Sequence, residues 1–244
     1  MEVTIANNQQ NPVPPWALRA MDRRQVDLAD KFREEVGIFY SRQEGAFENL
    51  SEDEKQELGI EDPKDIRIRP LAQTFLAAQG EVDRMSRLPE VFESTSLYEG
   101  AFRLTYTLPT TNTRNSVLAY KIELVLNSPI EKIREVAPQK FETAIRRAKN
   151  LIWALLVQAV LNDARLPHDR EQYGGSLAKE KAFRERLQSL ASSRVWPILK
   201  EIFATPAYQE RLQKEKFEFL RTKEVYKRCM DIAYAKWGWS RKHL

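Results

Sequence analysis

The chain has 244 residues, 42% of them hydrophobic and 30% charged, a balance that excludes a disordered polymer and allows one or two packed domains. A single cysteine, Cys229, and two histidines, His168 and His243, exclude an internal disulfide and a Cys/His zinc site. The net charge of +4 is uneven: from Ala178 to Leu244 there are 16 Lys/Arg against 8 Asp/Glu, so that stretch carries +8 and the remainder −4.

In chain order, Glu2–Ala6 alternates like a short strand, then meets Asn7-Asn8-Gln9-Gln10-Asn11 and Pro12, Pro14 and Pro15, which predict a loop. A strand at residue 1 has nothing before it to pair with, which suggests a domain whose earlier half lies elsewhere, although a later strand could also supply the partner. Pro15 opens a short helix to Met21. Asp22 then caps a helix over Arg23–Val36, with Val26, Ala29, Phe32 and Val36 as its apolar stripe and Gly37 as its stop. Ile38-Phe39-Tyr40 predicts a short strand, Ser51 with Glu54 a capping box for a helix to Leu58, and Gly59–Lys64 a turn.

Ile66–Gln79 is apolar at helical spacing, Pro89 interrupts a polar patch, and Ser96 is a cap for the segment with Tyr98, Phe102 and Leu104. Residues 115 to 126 fit a buried helix or a strand, and their length favours helix. From Pro138 to Ala164 one long central helix is expected, with Phe141, Ile145, Ala148, Ile152, Leu155 and Ala159 along one seam. His168-Asp169 to Gly174-Gly175-Ser176 is polar and holds the only Gly-Gly pair, which predicts a linker. Charged helices follow at about 178–191, 194–204, 207–219 and 221–237, the last with Tyr226, Met230, Ala233 and Trp237 as its stripe.

With 8 glycines and abundant helix formers, the fold class is mainly α, a multi-helix bundle with one or two short N-terminal strands. Three regions are expected: 1–110, 111–170 and 178–244, which could form one continuous domain. No stretch approaches roughly 18 apolar residues and Met1–Gln10 lacks a leader pattern, so the reading is cytoplasmic with no membrane partner.

No catalytic residue, metal site or cofactor is assigned. His168 is the sole candidate base and falls in the expected linker, Cys229 reads as a small buried side chain, and no phosphate-cradling glycine loop is present. The acidic groups Asp53-Glu54 and Glu131 fall at helix ends, where capping accounts for them without a metal. Two binding constellations stand out. Asn7, Asn8, Gln9, Gln10 and Asn11, followed by Arg19, Asp22 and Gln25, can hydrogen-bond nucleobase edges, another backbone, or simply their own loop. Lys214, Lys216, Arg221, Lys223, Lys227 and Arg228 are candidate phosphate contacts or a solvated basic face, and Trp196, Trp237 and Trp239 are base-stacking or core residues.

The run from Ile5 through Asn7-Asn8-Gln9-Gln10-Asn11, Leu18-Arg19 and Asp22, then Gly37-Ile38-Phe39-Tyr40 and Arg42 to Gly45, resembles the AIPR family of bacterial abortive-infection phage-resistance proteins. That family shows an Asn-x-Gln-Asn stretch, a Leu-Arg-x-x-Asp step and a Gly-x-x-Tyr-x-Arg-x-x-Gly ending. Leu71-Ala72-Gln73 with Ala77, and Phe92 through Tyr98 to Phe102, resemble its next segment, so the likeness spans about the first 100 residues. Members are usually much longer, and an Asn-Gly-x-Gln-Thr type motif that precedes this region in them is not in the sequence. The resemblance therefore implies the C-terminal part of such a protein. It implies a non-catalytic helical module acting in assembly or sensing, whose partner is the missing N-terminal half or another protein. Nucleic acid and a second copy of the chain are further candidates, and a metal-dependent nuclease component is the remaining alternative.

Overall fold

The computed structural model describes residues 13–102, 113–178, 180–214 and 217–244. The expected strand Glu2–Ala6 and the amide loop Asn7–Asn11 lie outside the described residues. Helix α1, Pro15–Leu18, leads to α2, Arg23–Val36. Asp22 caps α2 by accepting from the Arg24 amide at 2.9 Å, and Gly37 ends it at φ 63°, a left-handed value glycine adopts without a Cβ penalty. Its buried face is rotated from the expected stripe: Gln25, Leu28 and Phe32 point inward, whereas Val26, Ala29 and Val36 are half-buried.

Strand β1, Tyr40–Ser41, and strand β2, Ile66–Arg67, pair in parallel, with Tyr40 opposite Ile66 and Ser41 opposite Arg67. Between them α3, Glu52–Glu57, carries the full Ser51/Glu54 capping box. β2 runs directly into α4, Ile68–Gln79, closed by Gly80. Next come α5, Leu88–Glu93, and α6, Thr95–Ala101. The cap of α6 is Ser94, not Ser96: Ser94 has extended backbone and its hydroxyl accepts from the Leu97 amide, while Ser96 is already helical.

Helix α7, Thr113–Val125, is buried on most of its surface, and α8, Asn127–Val136, follows. The single helix expected over Pro138–Ala164 is broken. A 3₁₀ turn, Gln139–Phe141, precedes α9, Glu142–Arg147, and α10 covers Lys149–Leu161. At Ala148 the amide is shared between the Ala144 and Ile145 carbonyls and ψ is 14°, so the axis turns there. Arg134 pairs with Glu142 at 2.6 Å, fixing α9 against the end of α8, and Arg146 holds the same carboxylate from within α9 at 2.7 Å. The apolar seam nevertheless survives, because Ile145, Ala148, Ile152, Leu155 and Ala159 are all buried. Helix α10 is enclosed from Leu151 to Leu161 and packs on α4, α7 and the C-terminal helices.

The expected linker is a packed element. Residues Leu166–Tyr173 form α11, opened by Pro167, and Gly174 lies so close to Arg114 that a Cβ would stand 2.7 Å from its carbonyl oxygen. The Gly-Gly pair therefore serves close approach rather than flexibility. Past it, the Ser176 hydroxyl and the Leu177 amide donate to the Asp62 carboxylate, at 2.9 and 2.7 Å. The last elements are α12, Lys181–Leu190, a π-turn at Ala191–Val195, α13, Trp196–Ala204, α14, Pro206–Lys214, and α15, Lys223–Trp237. Buried side chains from Leu28 to Leu244 form one continuous apolar cluster.

Candidate functional site

Around the start of α2 a set of polar side chains locks β1 in place. Gln25 is fully buried, and its Nε2 donates to the Tyr98 hydroxyl at 2.9 Å while the Tyr40 hydroxyl donates to its Oε1. Arg19 donates from Nε to the Phe92 carbonyl at 3.0 Å, and its guanidinium lies 4.6 Å from the centre of the Tyr98 ring. Arg42 donates to the Ala20 carbonyl at 3.0 Å. Burial pushes the Tyr98 hydroxyl up to about 12 and raises that of Tyr40. Arg19, Asp22 and Gln25 are thus brought together, but their hydrogen bonds run inward, to α5, α6 and β1.

With β1 held, Ser41 to Gly45 separates two depressions on one face. The larger, about 370 Å³, is lined by Trp16, Ser41, Glu44, Asp65, Arg67 and Arg69, among others. Within it Arg67 bridges Glu48 at 2.7 Å and Asp65 at 3.3 Å, and Arg69 stacks 4.2 Å over Trp16. The second, about 240 Å³, is lined by Met21, Val26, Ala29, Phe39 and Leu58 together with Arg42 and other polar groups. Beside them, Val13, Leu18 and Met21 are 60, 72 and 75% exposed. Among the described residues there is no group of three or more His, Cys, Asp or Glu placed to hold a metal.

Of the basic candidates, only Lys223 and Lys227 border a common groove. Lys214 pairs with Glu210, Arg221 with Glu218 at 3.5 Å and Lys223 with Glu81. Lys227 and Arg228 are exposed on α15, and Lys216 lies outside the described residues, as do Asn7 to Asn11. His168 is exposed on α11, and burial drives the Cys229 thiol well above its ordinary range. Trp196 and Trp239 are buried. Sequence reasoning missed Trp16, Ser41, Asp65, Arg67 and Arg69 as lining residues. The Gly37–Gly45 motif was the one signal pointing to this face.

The described residues therefore define a mainly α protein with a two-stranded parallel pair. The family model described as AIPR protein matches residues 1–173, and the chain belongs to that family. Membership suggests an abortive-infection-related antiphage protein. No curated protein and no solved structure matches the chain. No helix among the described residues is long and apolar enough to cross a membrane.

Proposed function

We propose that the chain is a non-catalytic helical module of an AIPR antiphage protein and acts in assembly, pairing with a second copy of itself through α1 and α2. The observation that carries this reading is the exposure of Val13, Leu18 and Met21, three of the five large apolar side chains most open to solvent among the described residues, within nine positions of one another. Such side chains gathered beside an apolar-lined groove are a recognised mark of a protein contact.

The charge pattern of α2 argues for a second copy. Arg23, Asp27, Lys31 and Glu34 follow one another along one side of the helix, alternating in sign. Two such helices related by a two-fold axis and running antiparallel set Arg23 against Glu34 and Asp27 against Lys31, twice over. Arginine at the start of a helix and glutamate at its end oppose the helix dipole, and Arg23 also lies 3.9 Å from Asp27 within α2, an intrahelical pair with which the pairing across copies competes.

Sedimentation of the full chain over a range of concentrations tests the proposal. A dimer is expected, with Met21→Asp and Leu18→Asp monomeric and equally helical. Arg23→Glu is expected to weaken the dimer by about tenfold, and adding Glu34→Arg to restore most of it. A wild-type chain that is monomeric at every concentration, or a dimer indifferent to Met21→Asp, overturns it.

A further inference from the structure

Far from the α1 face, α15 and the segment after it border a groove of about 660 Å³ lined by the rings of Tyr226, Tyr234 and Trp239 and by Met230, with Lys223, Lys227 and Arg241 against the acids Glu224 and Asp231. The walls are firmly set. Trp239 lies against Trp237 with ring centroids 5.4 Å apart, and the Ser240 and Lys242 amides donate to the side chains of Asn162 and Gln158 on and beside α10, at 3.0 and 2.9 Å. Tyr226 packs its ring on Gly80, and its hydroxyl is buried with no partner among the described residues. At Gln79, Lys223 and Arg241 the groove adjoins a second depression, of about 270 Å³, which Arg84 and His243 also line.

The acids of this region are largely answered from within. Glu81 accepts Lys223 and lies 3.6 Å from Arg84, and Glu224 is held by Arg211 at 3.2 Å, whereas Asp231, one turn after Lys227, is exposed on the groove wall. Lys227 stands exposed with no ion-pair partner among the described residues, and Tyr234 is 68% exposed. An open aromatic face and an unsatisfied ammonium on one helix, in the half of the chain that carries the excess positive charge, match a planar base joined to a phosphate. An acidic peptide would meet the cations but has no use for the rings.

We propose that this groove binds a nucleotide unit, its base against Tyr234 and its phosphate near Lys227, supplied by a single-stranded nucleic acid or by a free nucleotide. Lys223 and Lys227 belong to the site. Lys214, Arg221 and Arg228, which do not line the groove, are excluded from it. The proposal is independent of the α1–α2 pairing.

Anisotropy of a short labelled single strand of DNA or RNA, titrated with the full chain at several salt concentrations, provides the test. Affinity is expected to fall with salt, and Tyr234→Ala and Lys227→Glu each to weaken binding by about tenfold. Lys200→Glu, the same charge change on α13 away from the groove, should alter it by less than about twofold. Circular dichroism verifies that each variant is folded, which exposed positions favour. Competition by mononucleotides, lost in the same two variants, identifies a free nucleotide as the source. A strand that they fail to displace identifies nucleic acid. No binding at low salt, an equal loss in Lys200→Glu, an unaffected Tyr234→Ala, or equally tight binding of an oligoglutamate overturns the proposal.

Discussion

Gln25 shows how a polar residue specifies a position in the core. Its amide offers one donor and one acceptor to two buried tyrosines, Tyr98 and Tyr40, and so ties α2 to both α6 and β1. Gln25→Leu removes both bonds and leaves the buried Tyr40 hydroxyl without its acceptor, while Tyr98 keeps Asp22. The expected cost is roughly 2–3 kcal/mol in urea unfolding, with helical content retained. A loss under about 0.5 kcal/mol would mean that the hydroxyls find other acceptors. Asp22, three positions earlier, was legible as a cap because capping is decided by adjacent backbone. Gln25 was not, since nothing local distinguishes a glutamine facing solvent from one facing two phenols. Lys121 makes the same point: it is fully buried, with Glu180 at 3.1 Å and the rings of Tyr173 and Phe183 each 5.4 Å away. Its desolvation pulls its pKa down.

Helix ends separate local from tertiary causes. Gly59 and Gly80 both adopt positive φ, 67° and 70°, after a helix, and the sequence marks them alike. A Cβ at Gly59 would meet nothing within 4 Å, whereas one at Gly80 would stand 2.0 Å from the Tyr226 ring. Gly59→Ala is therefore expected to cost about 1 kcal/mol, the left-handed penalty alone. Gly80→Ala should cost about 2–4 kcal/mol, with overpacking added and α15 displaced. Equal urea midpoints for the two variants would contradict the contact between α4 and α15. The break at Ala148 belongs to the same scale. An unbroken 3.6-residue rhythm from Phe141 to Ala159 reads as one helix, and only the backbone at Ala148, where ψ is 14°, shows where it is interrupted.

Across the whole molecule the three expected regions share one apolar cluster, and the charged C-terminal half is anchored through buried polar contacts. Besides Lys121–Glu180 and the Asp62 contacts, Arg186 pairs with Asp163 at 2.8 Å and with the buried Asp169. Buried tyrosines give this core a pH signature. Tyr98 and Tyr120 are pushed up to about 12, chiefly by desolvation, from an ordinary value of 10.0. Between about pH 10 and 12 the unfolded chain releases these protons while the folded one retains them. Their contribution is thus full below about pH 10 and is lost as pH rises through about 12. Lys121 acts in the opposite sense, its penalty easing as pH rises towards 10.5. The thermal midpoint is expected to drop between pH 10 and 12, and Tyr98→Phe with Tyr120→Phe to flatten that drop. A decline just as steep in the double variant would assign it to other groups.

The sequence by itself determined that this chain is helical, where most helices start and stop, and its AIPR resemblance. Caps, left-handed glycines and apolar rhythm act over a few residues, so their chemistry is written locally. Only the tertiary structure decided that Arg19 and Gln25 turn inward, that Leu166–Tyr173 is a packed helix, and that Gln79 on α4 joins Lys223 to Arg241 in one groove. Those outcomes depend on which distant surfaces meet, and a polar side chain records its burial only in the partners that folding brings to it.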